Sequence, residues 1–305
     1  MISVSPRNLK PAPAPSPHNP DLRLHPQFRS KYLKTARDLI VCLPPEYDLH
    51  PERRYPVLYL QDGQNLFDPD TAFVRGMDWR ADETARALTQ QRAIEPLIMV
   101  GIYNTGKRRI DEYTPTRDPK LGGGRADAYG RMLVSEIKPF IDAQYRTLPA
   151  PANTALGGSS LGGLVTLYLG LMYPQVFGKL AALSPSVWWN QQWIVRRVTR
   201  ARSKPQLTIW LDIGTAEGEK TLRDARALHD ALLAKGWVDG EDLHYQEFVG
   251  ANHSEAAWAQ RVAPMLQYLF PLPDSGSDSR QSGGRGQKAS RSLLLDAPFP
   301  TDRLR

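Results

Sequence analysis

One cysteine, Cys42, occurs in 305 residues. An intramolecular disulfide is therefore impossible, and so is a cluster of thiolates around a metal. No apolar run approaches the ~18 residues that a membrane span needs. The opening Met1-Ile2-Ser3-Val4-Ser5-Pro6 has no apolar signal-peptide core, so nothing indicates export and a cytoplasmic location is expected. Excess charge is also missing from most of the chain. The formal net charge is +7, but residues 1–31 hold five Lys/Arg against one Asp. Residues 274–305 hold six against four, which leaves about +1 for everything between. A nearly neutral body is not a surface built to neutralise phosphates, so neither nucleic acid nor membrane is the expected partner.

The whole chain is 41% hydrophobic, enough for one large domain or two small ones with an ample core. Residues 1–24 read as a proline-rich, extended leader around Pro11-Ala12-Pro13-Ala14-Pro15. Residues 25–272 form the domain, and 273–305 a Gly/Ser/Arg-rich tail without the apolar residues to pack. Both ends are expected to be disordered. Within the domain, short apolar runs alternate with helical patterns. Strands are predicted at 38–43, 55–60, 96–102, near 155–156, at 180–184, 207–213 and 243–249. Helices are predicted at 82–88, 126–145, after 163, at 221–235 and 254–270. Residues 103–125 read as a long irregular loop. This alternation predicts an α/β fold, a mainly parallel sheet with helices on both faces.

The chemistry centres on Gly157-Gly158-Ser159-Ser160-Leu161-Gly162-Gly163, between a short strand and an apolar helix. The glycines settle which serine matters. A frame from Gly158 fits G-x-S-x-G and places Ser160 at the centre, the setting of a nucleophile elbow. A serine hydroxyl needs a base. Among six histidines, His253 follows the last strand, where an α/β-hydrolase carries its base. The orienting acid should fall between Ser160 and His253, after the sixth strand. Asp212, Glu217 and Glu219 are the candidates, with Glu217, beyond Gly214, having the better reach. For the oxyanion, the Leu161 N–H follows the nucleophile, and Asp62-Gly63-Gln64-Asn65 is a turn that would aim the Gln64 N–H inward.

Four segments occur in order: Tyr59 to Asn65, Gly158 to Gly163, Ser184-Pro185-Ser186-Val187-Trp188-Trp189, and Gly214-Thr215-Ala216-Glu217, with His253 and Trp258 after them. Over about residues 35–270 the chain resembles the esterase D-like family of α/β-hydrolases. That family includes siderophore (enterochelin) esterases, feruloyl and acetyl xylan esterases, S-formylglutathione hydrolases and mycolyltransferases. The resemblance implies the α/β-hydrolase fold and a serine esterase. Its nucleophile falls on Ser160, its base on His253, its acid on Glu217 and its oxyanion donors on Gln64 and Leu161. Some similar siderophore esterases work with a serine–histidine pair alone. Neither a cofactor nor a metal is implied, and the expected partner is a small-molecule ester. Arg108 in the 103–125 loop, with Trp188 and Trp189, would give the mouth cationic and aromatic groups suited to an aryl or acidic acyl part. Trp188 and Trp189 read equally well as core packing. An acyltransferase would use the same residues with another acceptor. A non-catalytic binding protein on this fold would leave Ser160, His253 and the glycines unexplained together.

Overall fold

The computed structural model describes residues 19–272. The leader residues 1–18 and the tail 273–305 lie outside the described residues. The strands of the main sheet are β1 (Leu22–Phe28), β2 (Arg37–Cys42), β3 (Val57–Gln61) and β4 (Ile98–Ile102). A small hairpin, β5 (Arg117–Asp118) and β6 (Gly122–Gly123), stands apart. The sheet continues with β7 (Thr154–Ser159), β8 (Lys179–Leu183), β9 (Thr208–Gly214) and β10 (Leu243–Phe248). The order across it is β1-β2-β4-β3-β7-β8-β9-β10. From β4 to β10 every pairing is parallel; β1–β2 and β2–β4 are antiparallel.

Every residue of β3, β4 and β7 is buried, as parallel strands covered on both faces require. Alternate residues feed two separate cores. Val57 and Tyr59 face a layer that includes α3 (Ala126–Met132), α5 (Leu161–Met172), α6 (Trp189–Thr199) and α7 (Glu219–Lys235). Leu58 and Leu60 face α1 (Ala81–Gln90) and α9 (Val262–Leu269). The loops that leave β3, β7, β8, β9 and β10 all start from the carboxyl edge, where ligands bind in such sheets.

Several elements depart from the sequence reading. Strand β1 was not anticipated and starts within the segment read as leader. Only Leu22 of this edge strand is buried, and its pairing with β2 shifts register between His25 and Phe28, around Pro26, so no apolar alternation marks it. The 126–145 helix contains a π-type stretch at Leu133–Ile137 before α4 (Lys138–Gln144). Residues 103–125 are not irregular throughout: they hold α2 (Arg109–Tyr113) and the β5–β6 hairpin. The 254–270 helix is two, α8 (Glu255–Ala259) and α9, broken at Gln260 and the buried Arg261.

Candidate active site

Ser160 sits in the turn between β7 and α5 with φ 57° and ψ −123°, a conformation costly for any residue but glycine. The surroundings hold it there. Its N–H donates to Leu183 O at 3.0 Å, and its carbonyl accepts from Ser186 N–H at 2.9 Å and Leu164 N–H at 3.1 Å. A Cβ on Gly158 would lie 2.8 Å from the Gln61 side chain on the neighbouring β3, so β7 needs glycine just before the turn. Leu161 opens α5, and its N–H is one of the first-turn donors without an intrahelical acceptor. Ser160 Oγ lies 3.4 Å from Ser186 Oγ.

The structure brings His253 and Glu217 together: His253 Nδ1 lies 2.6 Å from Glu217 Oε2. The imidazole packs edge-to-face on Trp258 at 4.8 Å and is partly open to solvent. Glu217 ends the turn that follows β9, and its carboxylate is almost fully enclosed. Its Oε1 accepts from Ser184 Oγ at 2.5 Å and Gly214 N–H at 2.9 Å, with Arg261 Nη2 at 3.5 Å. Burial, the largest single influence, pushes this carboxyl up; the hydrogen bonds from His253, Ser184 and Gly214 together outweigh it and hold the group below its ordinary value.

Asp212 is not placed to orient His253. Its Oδ1 accepts from Arg261 Nη1 at 2.7 Å and Ser184 N–H at 3.1 Å, and its Oδ2 from Trp210 Nε1 at 2.7 Å. The carboxylate is wholly buried, and burial raises its pKa despite the Arg261 guanidinium.

Gln64 lies in a 3-10 turn, Gly63–Asn65, at the end of β3. Asp62 before it has a left-handed backbone, φ 57°. Arg109 grips the Asp62 carboxylate with two hydrogen bonds of 2.7 Å, and Asn104 Nδ2 adds a third at 2.7 Å. The Asp62 N–H donates to Tyr113 Oη at 3.2 Å. A Cβ on Gly63 would fall 2.5 Å from the Gly101 carbonyl carbon, so this turn presses backbone against β4. Asn65 Nδ2 and Trp79 Nε1 donate to opposite oxygens of Glu255, two residues past His253, at 3.0 and 2.5 Å. These two bonds tie the Gln64 turn to the His253 loop. The sequence marked Asn65 and Ser184 only as members of their segments and Arg109 only as a cation of the 103–125 loop, and it gave Glu255 and Arg261 no signal.

The expected mouth residues separate. Trp189 is fully buried and its indole N–H donates to Thr116 O at 3.1 Å, so it packs the core and offers no stacking face. Trp188 is exposed. Arg108 is exposed and borders a shallow depression with Lys34, Asp111 and Arg125, which includes none of Ser160, Gln64, Glu217 or His253. An aromatic that sequence reasoning passed over is Phe73, which is 84% exposed. Its loop is fastened beside Gln64: Phe73 N–H donates to Asn65 Oδ1 at 2.9 Å, and Thr71 Oγ1 to Gln64 O at 2.7 Å. Among the described residues, no group of three or more His, Cys, Asp or Glu is placed to hold a metal ion, and no helix is long and apolar enough to cross a membrane.

A family model described as "Putative esterase" matches residues 30–269. The chain is 25% identical over 255 residues to the uncharacterized protein YbbA of Bacillus subtilis, covering 79% of this chain and 95% of YbbA. It is 29% identical over 228 residues to the ferri-bacillibactin esterase BesA of the same organism, covering 67% and 75%. Among solved structures, an IroE-like serine hydrolase from Shewanella oneidensis superposes with a TM-score of 0.67 at 23% identity, covering 82% of this chain and 80% of that one. That likeness shows the shared fold.

Proposed function

Given that the chain belongs to this Esterase family and is a carboxylic ester hydrolase with the α/β-hydrolase fold, we propose that Ser160, His253 and Glu217 form its catalytic triad and that it works through an acyl-enzyme. The observation that carries the reading is the 2.6 Å contact of Glu217 Oε2 with His253 Nδ1, at the same sheet edge as the strained Ser160 turn. Glu217 holds the Nδ1–H tautomer, which leaves Nε2 as the acceptor for the Ser160 proton. Ser160 Oγ attacks the ester carbonyl as His253 takes that proton. The imidazolium then protonates the leaving alkoxide, and water, activated by the same histidine, hydrolyses the acyl-enzyme. The Gln64 and Leu161 N–H groups receive the oxyanion; one such donor contributes ~3 kcal/mol in comparable enzymes.

The substrate class belongs to the same proposal. A small ester whose acyl part is aromatic, of the siderophore or hydroxycinnamoyl kind, fits the exposed Phe73 and Trp188. The esterase activity of BesA toward ferri-bacillibactin supports that direction. Arg108 borders a separate depression and Arg109 is held by Asp62, so the cationic contribution to such a mouth is smaller than the sequence suggested. A fluorophosphonate probe should label the folded chain at Ser160, with no labelling of Ser160→Ala. Equal labelling of the two would refute the nucleophile. A matched pair of aryl and medium-chain alkyl esters tests the class: a higher kcat/KM for the alkyl ester would overturn it.

A further inference from the structure

Ser184 follows β8 and is fully buried, with its backbone in the left-handed region at φ 42°. Its N–H is fixed by Asp212, through the carbonyl at 3.0 Å and Oδ1 at 3.1 Å. Its hydroxyl has three neighbours. Trp258 Nε1 lies at 3.1 Å, Arg261 Nη1 at 2.7 Å and Glu217 Oε1 at 2.5 Å. Indole and guanidinium nitrogens are donors only, whereas an ionised carboxylate only accepts. A hydroxyl has two acceptor positions and one proton. The two donors therefore take both acceptor positions, and the proton has one direction left, toward Glu217 Oε1. No hydrogen position has to be assumed for this.

We propose that Ser184 is a positioning residue: its hydroxyl, filled on its acceptor side by Trp258 and Arg261, must donate to Glu217 Oε1 and so reserves Oε2 for His253. The role rests on Glu217 being the acid of the triad. The carboxylate is asymmetric in the way this requires. Oε1 receives Ser184, Gly214 and, more distantly, Arg261. Oε2 meets His253. Arg261 Nη1 bridges Ser184 Oγ to Asp212 Oδ1, so the Asp212–Arg261 pair sets the serine, and the serine sets the acid.

A double-mutant cycle on hydrolysis of p-nitrophenyl butyrate by the full chain tests this. Ser184→Ala should lower kcat by about 10- to 100-fold, the usual cost of losing an outer partner that orients a site residue. KM should stay within about twofold, because Ser184 touches no substrate. In a Glu217→Ala background the same change should cost less than about twofold, since there is no carboxylate left to direct. Ser184→Cys fills the site with a slightly larger atom and a weak donor and should resemble Ser184→Ala; it carries the comparison if the alanine variant does not fold. An equal loss in both backgrounds would make Ser184 a packing residue and overturn the proposal. So would wild-type kcat in folded Ser184→Ala. Wild-type kcat in Glu217→Ala alone is a different failure: it removes the acid assignment, and this role of Ser184 with it.

Discussion

Glu217→Gln is the substitution that the geometry bears on most sharply. The position of Oε1 is ringed by donors: the Ser184 hydroxyl, the Gly214 N–H and the Arg261 guanidinium. A glutamine would have to place its carbonyl oxygen there. The reverse orientation would set its NH2 against the two close donors and leave both without an acceptor. Each buried polar group left unpaired costs about 1–3 kcal/mol, so the preference is about 2–6 kcal/mol, or roughly 30-fold to 20,000-fold. The NH2 therefore points at His253 Nδ1, which lies 2.6 Å from that position in the native chain. An NH2 donates, so Nδ1 must accept, and the ring proton moves to Nε2. That is the wrong tautomer for taking the Ser160 proton. The corresponding amide substitution in a serine protease costs about 10⁴ in kcat.

The expected result is a loss of roughly a thousand- to ten-thousandfold in kcat on an activated ester, with the fold intact. Glu217→Ala imposes no tautomer and should be no more damaging than Glu217→Gln. Steady-state kinetics alongside thermal unfolding measures both. Folded Glu217→Gln with kcat within about tenfold of wild type would refute the reasoning and point to a serine–histidine pair. Alanine clearly worse than glutamine would refute the tautomer argument in particular.

Arg109→Ala leaves the Asp62 carboxylate enclosed without its main partner; stability should fall by about 3 kcal/mol, with kcat falling as the Gln64 turn loses its anchor. Arg109→Lys should recover only part of this, because an ammonium cannot reproduce the two-pronged grip; full recovery would show that charge alone suffices. Gly63→Ala forces a methyl into the Gly101 backbone and should lower stability by about 1–3 kcal/mol, read as a drop in unfolding midpoint; an unchanged midpoint would contradict the close approach. Trp189→Ala should cost about 3–5 kcal/mol, whereas Trp188→Ala should leave stability nearly unchanged and raise KM for aryl esters. Glu217 also carries a pH signature. Its folded pKa lies below the ordinary 4.5, so it stabilises the fold above that value and the contribution is lost as pH falls through the lowered one. Acid unfolding of the wild type should therefore steepen below about pH 4.5 relative to Glu217→Gln, and parallel slopes would contradict the hydrogen-bonded carboxylate.

Much of the scaffold was legible because its strands are buried on both faces. Residues 57–60 and 98–102 are continuous apolar runs, and that is the pattern a covered parallel strand leaves. Strand β1 leaves no such pattern, since it lies at the edge with one buried residue. Around the site, reading by chain order put Ser160, Gln64, Glu217 and His253 on loops at one sheet edge. Local orientation was not legible. Arg108 and Arg109 are neighbours in sequence, yet one faces solvent and the other closes on Asp62, a choice set by where α2 begins. Trp188 and Trp189 diverge for a similar reason: the first precedes the helix after β8 and stays exposed, and the second opens that helix and enters the core beside Thr116.

The choice between one carboxylate within β9 and another just after it shows what distance along a chain can and cannot decide. Asp212 and Glu217 join one network through Ser184 and Arg261. Their surroundings push them in opposite directions: burial raises Asp212, whereas donors hold Glu217 down. Such divergence sorts paired groups into different tasks. Asp212 sits within the strand and is wholly enclosed, so it serves as counter-ion to a guanidinium that is itself fully buried. Removing Arg261 would leave Asp212 uncompensated, and removing Asp212 would leave Arg261 no carboxylate but Glu217 at 3.5 Å, which makes the pair a fixed post rather than a reacting group. Glu217 lies beyond the bend at Gly214, where one oxygen can be anchored while the other reaches His253. The same reasoning gives Asp212→Asn a distinct fate. Its amide oxygen can still serve Arg261, but its NH2 then opposes the Trp210 indole N–H. Stability should therefore fall, while the His253–Glu217 contact and the tautomer it enforces survive. Loss of thermal midpoint with kcat within about tenfold of wild type is the expected pattern, and a kcat loss equal to that of Glu217→Gln would reverse the assignment.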